Sequence, residues 1–279
     1  MISIIISTYQ PKYCNQLTNN IDKTIGVPYE IILIENNNQM GICAAYNKGI
    51  AKAKFDFLCF IHEDVIFLNN NWGLVLGKYF NNIPELGCVG VAGALYKSKA
   101  PSAWWDVPKE QWVAHLQQEV SEGIKRYDSY GWNNGEEYKN VAVIDGVFIA
   151  TKKSNKLLFD ERIKGFHCYD LNYSFESKKK GFKNIVTREI FLRHYSSGSL
   201  NIDWLKNTHK IHKLYKYLLP VSVSEHSYQI EIERNNLFKF ALKSIEFHKF
   251  SIAAVYWMKL FIIKPISKMH ITLIKLFIK

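Results

Sequence analysis

Apolar runs of strand length alternate with helical stretches over the first third of the chain. The runs that predict strands lie at residues 2–7, 29–35, 55–62 and 88–93, and the stretches that predict helices lie at about 14–25, 41–54 and 70–82. The strand runs are continuously apolar, as in strands that are buried on both faces. Because such strands alternate with helices, the pattern predicts an α/β fold with a mostly parallel sheet covered on both faces.

The pattern changes over residues 95–140, which combine many polar positions with the aromatic residues Trp104, Trp105, Trp112, Tyr127, Tyr130 and Trp132. Periodicity is weak here, apart from a segment near 108–125 that predicts a helix. We interpret this region as an excursion over the sheet. The chain then returns to the core with a predicted strand over 141–150, interrupted by Asp145 and Gly146. A helix over about 170–180 and a strand over 184–187 follow before His194.

Beyond residue 203 the pattern is helical throughout. The stretch 250–263 is apolar nearly all round, but it is too short to span a bilayer and Lys259 interrupts it. After Pro265, one arc of the predicted last helix carries Lys264, Lys268, Lys275 and Lys279, and the opposite arc carries Ile266, Met269, Leu273, Leu276 and Phe277. A basic amphipathic helix of this kind lies in a lipid interface or docks its apolar face on the rest of the protein.

Charge is concentrated at the C-terminal end of the 279-residue chain. The net charge is +11, and residues 203–279 hold 13 Lys and Arg against 5 Asp and Glu, which leaves 23 against 20 for residues 1–202. A basic tail on a balanced body indicates an anionic partner for the tail, lipid or nucleic acid, or a solvated basic surface. The five cysteines show no CxxC spacing and are expected to be reduced core residues. With no signal-peptide pattern at the N-terminus, we expect an unprocessed cytosolic chain.

Three predicted strands end in polar residues. In open α/β sheets ligands bind beyond the carboxyl ends of the strands, which points to Ser7-Thr8-Tyr9, Glu35-Asn36-Asn37 and His62-Glu63-Asp64. The last of these, in the segment FIHEDV, is an acidic cluster that can hold a hard divalent cation against a diphosphate. A strand-end acid can also be a helix cap or a surface charge.

Taken together in this order and spacing, several segments resemble the family 2 glycosyltransferases. They are ISIIISTY, YEIILIENN followed by GICAAYNKGIAKAK, FLCFIHEDV, DGVFIATKK, FDERIKGFHCYDLNYSFESKKKGF and HYSSG, which together span roughly residues 2–200. The resemblance is to a glycosyltransferase-like branch in which the metal-binding Asp-x-Asp triplet reads His-x-Asp. It implies a GT-A fold and transfer of a sugar from a nucleoside diphosphate.

The resemblance also implies a donor site. The residues it assigns to nucleotide and donor binding are Ser7, Thr8, Tyr9, Glu35, Asn36, Asn47, His62 and Glu63, although family members commonly have Asp where Glu35 and Asn36 stand. Asn47 is otherwise an exposed helical residue. The implied metal ligands are Asp64, His62 and His194, of which His194 is otherwise a structural histidine. Since imidazole suits Mn²⁺ better than Mg²⁺, we expect Mn²⁺.

For the chemical step, the resemblance aligns Asp170 with the family's catalytic base. A carboxylate suits that role, because the attacking hydroxyl must lose a proton. Asp170 is otherwise, or in addition, the N-cap of a helix that begins at Leu171. The residues expected at the acceptor are Asp145, Gly146, Trp104, Trp105 and Tyr169, with the two tryptophans either facing a sugar ring or packing the excursion on the core. Family 2 enzymes invert the anomeric centre, and we expect the same here.

We therefore expect a GT-A catalytic domain over 1–203 and a basic helical tail over 204–279. Within the domain, a nucleotide-binding half at about 1–95 precedes an acceptor-binding half at about 96–203. The expected partners are a UDP- or dTDP-sugar, a glycan or lipid-linked acceptor of a bacterial surface polysaccharide, and the inner face of the cell membrane through 250–279, with no nucleic acid. The rival interpretations are a sugar-phosphate nucleotidyltransferase, although a glycine-rich phosphate loop is lacking, and an inactive GT-A scaffold.

Overall fold

The computed structural model describes residues 1–37, 39–121, 123–195, 198, 200–223 and 229–277. The strands are β1 (Ile2–Thr8), β2 (Tyr29–Glu35), β3 (Phe57–Ile61), β4 (Val65–Phe67), β5 (Leu86–Gly90), β6 (Ala92–Ala94), β7 (Tyr96–Lys97), β8 (Trp112–Ser121), β9 (Ile124–Tyr130), β10 (Tyr138–Val141), β11 (Val143–Ile144), β12 (Phe148–Lys152), β13 (Lys183–Thr187), β14 (Leu192–His194) and β15 (Val221–Ser222). The helices are α1 (Pro11–Thr24), α2 (Ile42–Lys52), α3 (Trp72–Asn82), α4 (Tyr169–Lys179), α5 (Ile202–Leu214), α6 (Gln229–Glu246), α7 (Phe250–Ile263) and α8 (Lys268–Phe277).

A seven-stranded sheet forms the centre, in the order β10-β13-β5-β12-β3-β1-β2. Strands β2, β1, β3, β5 and β13 run in one direction, while β12 and β10 run antiparallel to their neighbours. Every residue of β5 and nearly every residue of β1 is buried, so the sheet is covered on both faces. This confirms the α/β fold and the mostly parallel sheet that the apolar runs predicted.

Helix α2 packs closely against the central sheet. A Cβ at Gly49 would lie 2.3 Å from Cγ2 of Ile5 on β1, so only glycine lets the helix pack this near to the strand. The predicted helices near 14–25, 41–54, 70–82 and 170–180 correspond to α1, α2, α3 and α4. The hydrophobic pattern therefore located these elements to within a few residues.

A second sheet, in the order β11-β6-β8-β14-β4 with β9 paired to β8, packs beside the first. The helix expected near 108–125 was wrong, because β8 and β9 form an antiparallel hairpin there. The turn contains Gly123 at φ +75°, a conformation that favours glycine, and this turn residue was the overlooked signal. The predicted strands at 88–93 and 141–150 are each divided: β5 and β12 belong to the first sheet, and β6 and β11 to the second.

The helices after residue 201 pack against this α/β body, and one hydrophobic core runs from β1 to α8. The boundary expected at residue 203 falls in the first turn of α5. In α5, Asn207 Nδ2 donates to the carbonyl oxygen of Lys164. In α6, the carboxylate of Glu233 accepts hydrogen bonds from Tyr96 Oη at 2.8 Å, Ser98 Oγ at 2.9 Å and the amides of Lys99 and Ala100 at 2.6 and 2.8 Å.

The last two helices leave much apolar surface exposed. On the arc predicted to be apolar, Leu273 is buried, and Met269 and Leu276 are partly buried against the core. Other apolar side chains of α7, α8 and the segment between them are exposed: Val255, Met258, Phe261, Ile262, Ile263, Ile266, Ile271, Ile274 and Phe277. In the described part of the chain, no helix combines the length and apolar character needed to cross a membrane.

Candidate active site

The polar residues at the end of β3 lie beside the second sheet. Asp64 lies between β3 and β4, and its carbonyl oxygen accepts a hydrogen bond from the amide of Tyr195 at 3.0 Å. Strand β14 pairs with β4 so that His194 stands opposite Val65. Two segments that are 130 residues apart in sequence therefore meet at one sheet edge. This edge lies at the carboxyl end of β3, where ligands bind in open α/β sheets.

Three side chains converge at this edge, with their ligand atoms within 4.8 Å of one another: His62, Asp64 and His194. The Nδ1 atom of His62 lies 3.3 Å from Nε2 of His194, and the Asp64 Oδ1 atom lies 3.7 Å from the first and 3.5 Å from the second. Two imidazole nitrogens and one carboxylate oxygen are a ligand set that can hold a divalent cation. The residues present thus fit a divalent cation of the kind that the sequence predicted.

Neighbouring side chains orient both imidazoles. The side-chain oxygen Oε1 of Gln118 lies 3.1 Å from His194 Nδ1, and this contact orients the ring so that its Nε2 faces Asp64 and His62. On the other ring, Nε2 of His62 forms a short hydrogen bond with the hydroxyl of Tyr169. Burial and the nearby His194 lower the pKa of His62, which favours the neutral form that binds metals.

A cavity of about 460 Å³ opens from this cluster. It is lined on one side by His62 and His194 and on another by Asp145, Gly146, Tyr169 and Asp170. Helix α4 starts at Tyr169, after Cys168 in the left-handed conformation at φ +66°. The expected helix start at Leu171, with Asp170 as the N-cap, was therefore wrong by two residues: Asp170 lies in the first turn, where its Oδ1 accepts from the amide of Leu171 at 2.8 Å.

Asp170 has the most strongly displaced carboxyl pKa in the cavity. Burial, and to a lesser degree the negative charge of Asp145, raise its pKa to about 7, while hydrogen bonds from the backbone amides of Leu171 and Asp170 and, less strongly, the charge of Lys97 lower it. A carboxyl group with a pKa near neutrality exchanges protons readily at the pH of a cell. The cavity thus combines a cation-binding cluster with a group suited to general base catalysis.

The residues expected at the nucleotide fall into two groups. Glu63 is buried and accepts hydrogen bonds from Thr8 Oγ1 at 2.6 Å and from the amides of Tyr9 and Gln10 at 3.2 and 3.1 Å, so it shapes the loop between β1 and α1. The amide of Asn36 is engaged with Ser7 Oγ and with the backbone of Met40. These four side chains hold the loops at the ends of β1 and β2.

Besides His62, three expected nucleotide residues remain, and their side chains take no part in those hydrogen bonds. Tyr9 and Glu35 are exposed at the same sheet edge, where a ligand can reach them. Asn47 Nδ2 donates to the carbonyl oxygen of Phe159 at 2.9 Å, and its Oδ1 accepts from the amide of the same residue. Asn47 therefore joins α2 to the segment before α4. None of the residues expected at the nucleotide except His62 lines the cavity.

The residues expected at the acceptor are all brought to the cavity. Trp104 is 9% exposed, and its indole nitrogen donates to Asp145 Oδ2 at 2.6 Å, while Trp105 is 39% exposed. The Tyr169 ring packs directly against Gly146, and a Cβ at this position would lie 2.2 Å from the Tyr169 hydroxyl oxygen. The sequence missed the contribution of the hairpin, which adds Trp112, Ala114, Leu116, Gln118, Arg126, Asp128 and Tyr130 to the lining.

The sheet order, the strand-end cluster and the added sheet define a GT-A fold. Two solved structures share it: TarS residues 1–349 of S. aureus in complex with UDP-GlcNAc (13% identity, TM-score 0.50, 87% of this chain and 75% of that one) and GalNAc-T7 with UDP, GalNAc and Mn²⁺ (10% identity, TM-score 0.52, 85% and 54%). At these identities the likeness establishes the fold alone.

The chain belongs to the glycosyltransferase-like family, whose model matches residues 1–217. No curated protein sequence matches it. The family match confirms the resemblance that the motifs indicated, and it extends through α5 and the turn after it.

Proposed function

We propose that this glycosyltransferase moves a sugar from a nucleoside diphosphate, with UDP favoured over dTDP, to a hydroxyl group of a glycan or lipid-linked acceptor. One observation carries the proposal: His62 and His194, which form a cation-binding cluster with Asp64, line the same cavity as Asp170. TarS was solved with UDP-GlcNAc and GalNAc-T7 with UDP, and we therefore take UDP as the first donor nucleotide to test.

The cation-binding cluster and Asp170 have separate roles in the proposed reaction. His62, Asp64 and His194 would hold a divalent cation, whose positive charge would stabilise the diphosphate leaving group. Asp170 accepts the proton of the acceptor hydroxyl while that oxygen bonds to the anomeric carbon. The bond from the anomeric carbon to the phosphate oxygen breaks, and the nucleoside diphosphate leaves with the electron pair. A single displacement inverts the anomeric centre.

We propose that the donor and the acceptor bind to different halves of the domain. The nucleotide-binding half, about 1–95, holds the donor at the ends of β1, β2 and β3. The acceptor half, about 96–203, supplies Asp145, Trp104, Trp105 and Tyr169 around the acceptor. We further propose that the product belongs to a bacterial surface polysaccharide made at the cytoplasmic face of the cell membrane.

A thermal-shift comparison tests the donor site. UDP, dTDP, GDP, CDP and ADP are each added with and without Mn²⁺, because a ligand that binds only the native state raises the unfolding midpoint. We expect the largest shift with UDP and Mn²⁺ together, and loss of its metal-dependent part in Asp64→Asn. The control is Asp22→Asn, at an exposed residue of α1. Equal midpoints with all nucleotides would contradict the proposal and favour an inactive scaffold.

Membrane contact is part of the proposal and rests on the surface of α7 and α8. No acidic residue follows Glu246, whereas six lysines do. Val255, Met258, Ile262 and Ile266 are 48–91% exposed among those lysines. A basic, apolar surface is complementary to an anionic bilayer, into which side chains of this kind insert.

Vesicle sedimentation tests this contact. We expect the protein to pellet with vesicles that contain phosphatidylglycerol and not with pure phosphatidylcholine. The double variant Ile262→Ser, Ile266→Ser should stay in the supernatant. Ile230→Ser is the matched control, because Ile230 is 72% exposed but lies on α6. Unchanged pelleting of the double variant would exclude α7 and α8 as the contact surface.

A further inference from the structure

The outer floor of the cavity is one face of the β8–β9 hairpin. Pairing places Gln118 opposite Arg126, Leu116 opposite Asp128 and Ala114 opposite Tyr130. Cross-strand partners project from the same face of a sheet, and alternate residues of one strand do as well. These side chains therefore form successive rows. The first row adjoins the metal-binding cluster, because Gln118 also pairs with His194.

Arg126 and Asp128 form a rigid, planar pair on this floor. Arg126 Nε lies 2.9 and 3.0 Å from the two carboxylate oxygens, and its Nη2 lies 2.8 Å from Oδ2. The Asp128 side chain is 10% exposed, whereas that of Arg126 is 60% exposed. The guanidinium is thus held by a buried acid, while its Nη1 donates to none of the described residues.

Aromatic rings surround this pair. Trp112 and Tyr130 line the cavity with ring centroids 5.5 Å apart at 89°, and the indole nitrogen of Trp112 donates to the carbonyl oxygens of Trp105 and Val107. Trp105 is itself 39% exposed at the cavity. The rings are fixed before any ligand arrives, which lowers the entropic cost of binding.

We propose that this floor binds a neutral sugar ring of the acceptor, at a distance from the hydroxyl that is attacked. The inference rests on the proposed function and adds the substrate class: an acceptor of at least two sugar units. Aromatic faces pack against the apolar C–H face of a pyranose, and a fixed Arg–Asp pair offers a donor and an acceptor to adjacent hydroxyls.

Two features argue against the diphosphate as the partner of Arg126. Asp128 neutralises the guanidinium, so the pair carries little net charge toward an anion. Asp128 also belongs to the row nearer to Tyr130, and it draws the guanidinium away from the row of Gln118 and His194. The pair therefore faces the outer, aromatic end of the cavity.

Saturation-transfer NMR on the full chain tests the proposal, with UDP and Mg²⁺ present because Mn²⁺ broadens the signals. The probes are maltose, cellobiose, lactose and diacetylchitobiose. We expect transfer to the ring protons of at least one disaccharide. Its Kd should rise about tenfold in Arg126→Gln and in Asp128→Asn, the loss typical of a hydrogen bond to a charged group. Lys125→Gln is the matched control, since Lys125 is exposed and is not among the residues that line the cavity.

UDP binding, measured by thermal shift on the same samples, separates the outcomes. Intact UDP binding without transfer to any disaccharide overturns the subsite. Loss of UDP binding in Arg126→Gln also overturns it and assigns the guanidinium to the diphosphate. A wild-type protein that binds disaccharide but no nucleotide contradicts the proposed function instead. If Asp128→Asn does not fold, the exposed Arg126 carries the comparison alone.

Discussion

The two ends of the cavity are built in different ways. At the inner end, His62 and Asp64 directly follow a buried strand of the central sheet, and the cation-binding cluster needs only His194 to complete it. At the outer end, Arg126 and Asp128 lie inside a strand of the second sheet and alternate with residues that face away. The inner end holds charge for the donor, and the outer end offers rings and a neutralised pair.

This difference shows which kinds of site a sequence reveals. Ligands bind at the carboxyl ends of the strands in open α/β sheets. The apolar run FLCFI predicts a strand, so the polar residues that follow it are candidates for a binding site. The floor of an inserted hairpin has no such rule.

Replacement of Asp170 should have the largest effect. Asp170→Asn keeps the shape of the side chain but cannot accept a proton, so transfer should fall by about 10²–10⁴-fold, the range for a general base. UDP binding should not change, because Asp170 is not a member of the cation-binding cluster. The measurement is initial rate together with thermal shift. Asp203→Asn, in the exposed first turn of α5, is the control, and near-normal transfer in Asp170→Asn would remove Asp170 from the base role.

The pH dependence of the same carboxyl gives a second test. Because its pKa is raised to about 7 by burial and by Asp145, against Lys97, the rate should fall about tenfold per pH unit below 7 and level off above. Stability has the opposite sign: above pH 7 the folded protein carries the cost of the buried charge, and the cost disappears as the pH falls toward 4.

That cost predicts a measurable difference between two proteins. Asp170→Asn should unfold about 5 °C higher than the wild type at pH 8, and the two midpoints should converge near pH 4. Calorimetry at several pH values checks this. Equal midpoints at pH 8 would mean that the carboxyl is not destabilised by its surroundings.

A methyl group at Gly146 tests how tightly the inner end is assembled. The Cβ of Gly146→Ala would lie 2.2 Å from the Tyr169 oxygen, so the ring must move and its contact with His62 must change. We expect a loss of about 1–3 kcal/mol in unfolding free energy and roughly tenfold weaker Mn²⁺ binding. Gly77→Ala is the control, because nothing lies within 4 Å of a Cβ there. Equal effects of the two changes would contradict the prediction.

Glu233→Gln should give the smallest effect and concerns the outer end. The change weakens the hydrogen bonds that hold residues 98–100 and, through them, the segment that carries Trp104 and Trp105. We expect a loss of about 1–2 kcal/mol in unfolding free energy and greater acrylamide quenching of tryptophan fluorescence. Glu231→Gln removes an exposed carboxylate of the same helix and should change neither. Unchanged quenching in Glu233→Gln would show that α6 does not position this segment.

Much of the fold was accessible from the sequence because the relevant signals are local. Continuous apolar runs located the parallel strands, and helical stretches located α1 to α4 to within a few residues. The hairpin of β8 and β9 was missed because its alternation of buried and exposed residues is irregular. The same pattern is compatible with a helix that has Gly123 near its end. Strand β8 is recognised through its pairing with β6 and β14, and β9 through its pairing with β8.

Local patterns in the sequence indicate the α/β class and the strand-end cluster at 62–64, and several motifs in a fixed order indicate the glycosyltransferase-like family. The folded structure alone reveals that Gln118 orients His194, that Glu233 holds the segment before Trp104, and that Arg126 and Asp128 line the cavity. The physical reason is that these contacts join residues far apart in the chain. Their partners are selected by sheet register and packing, which no local pattern specifies.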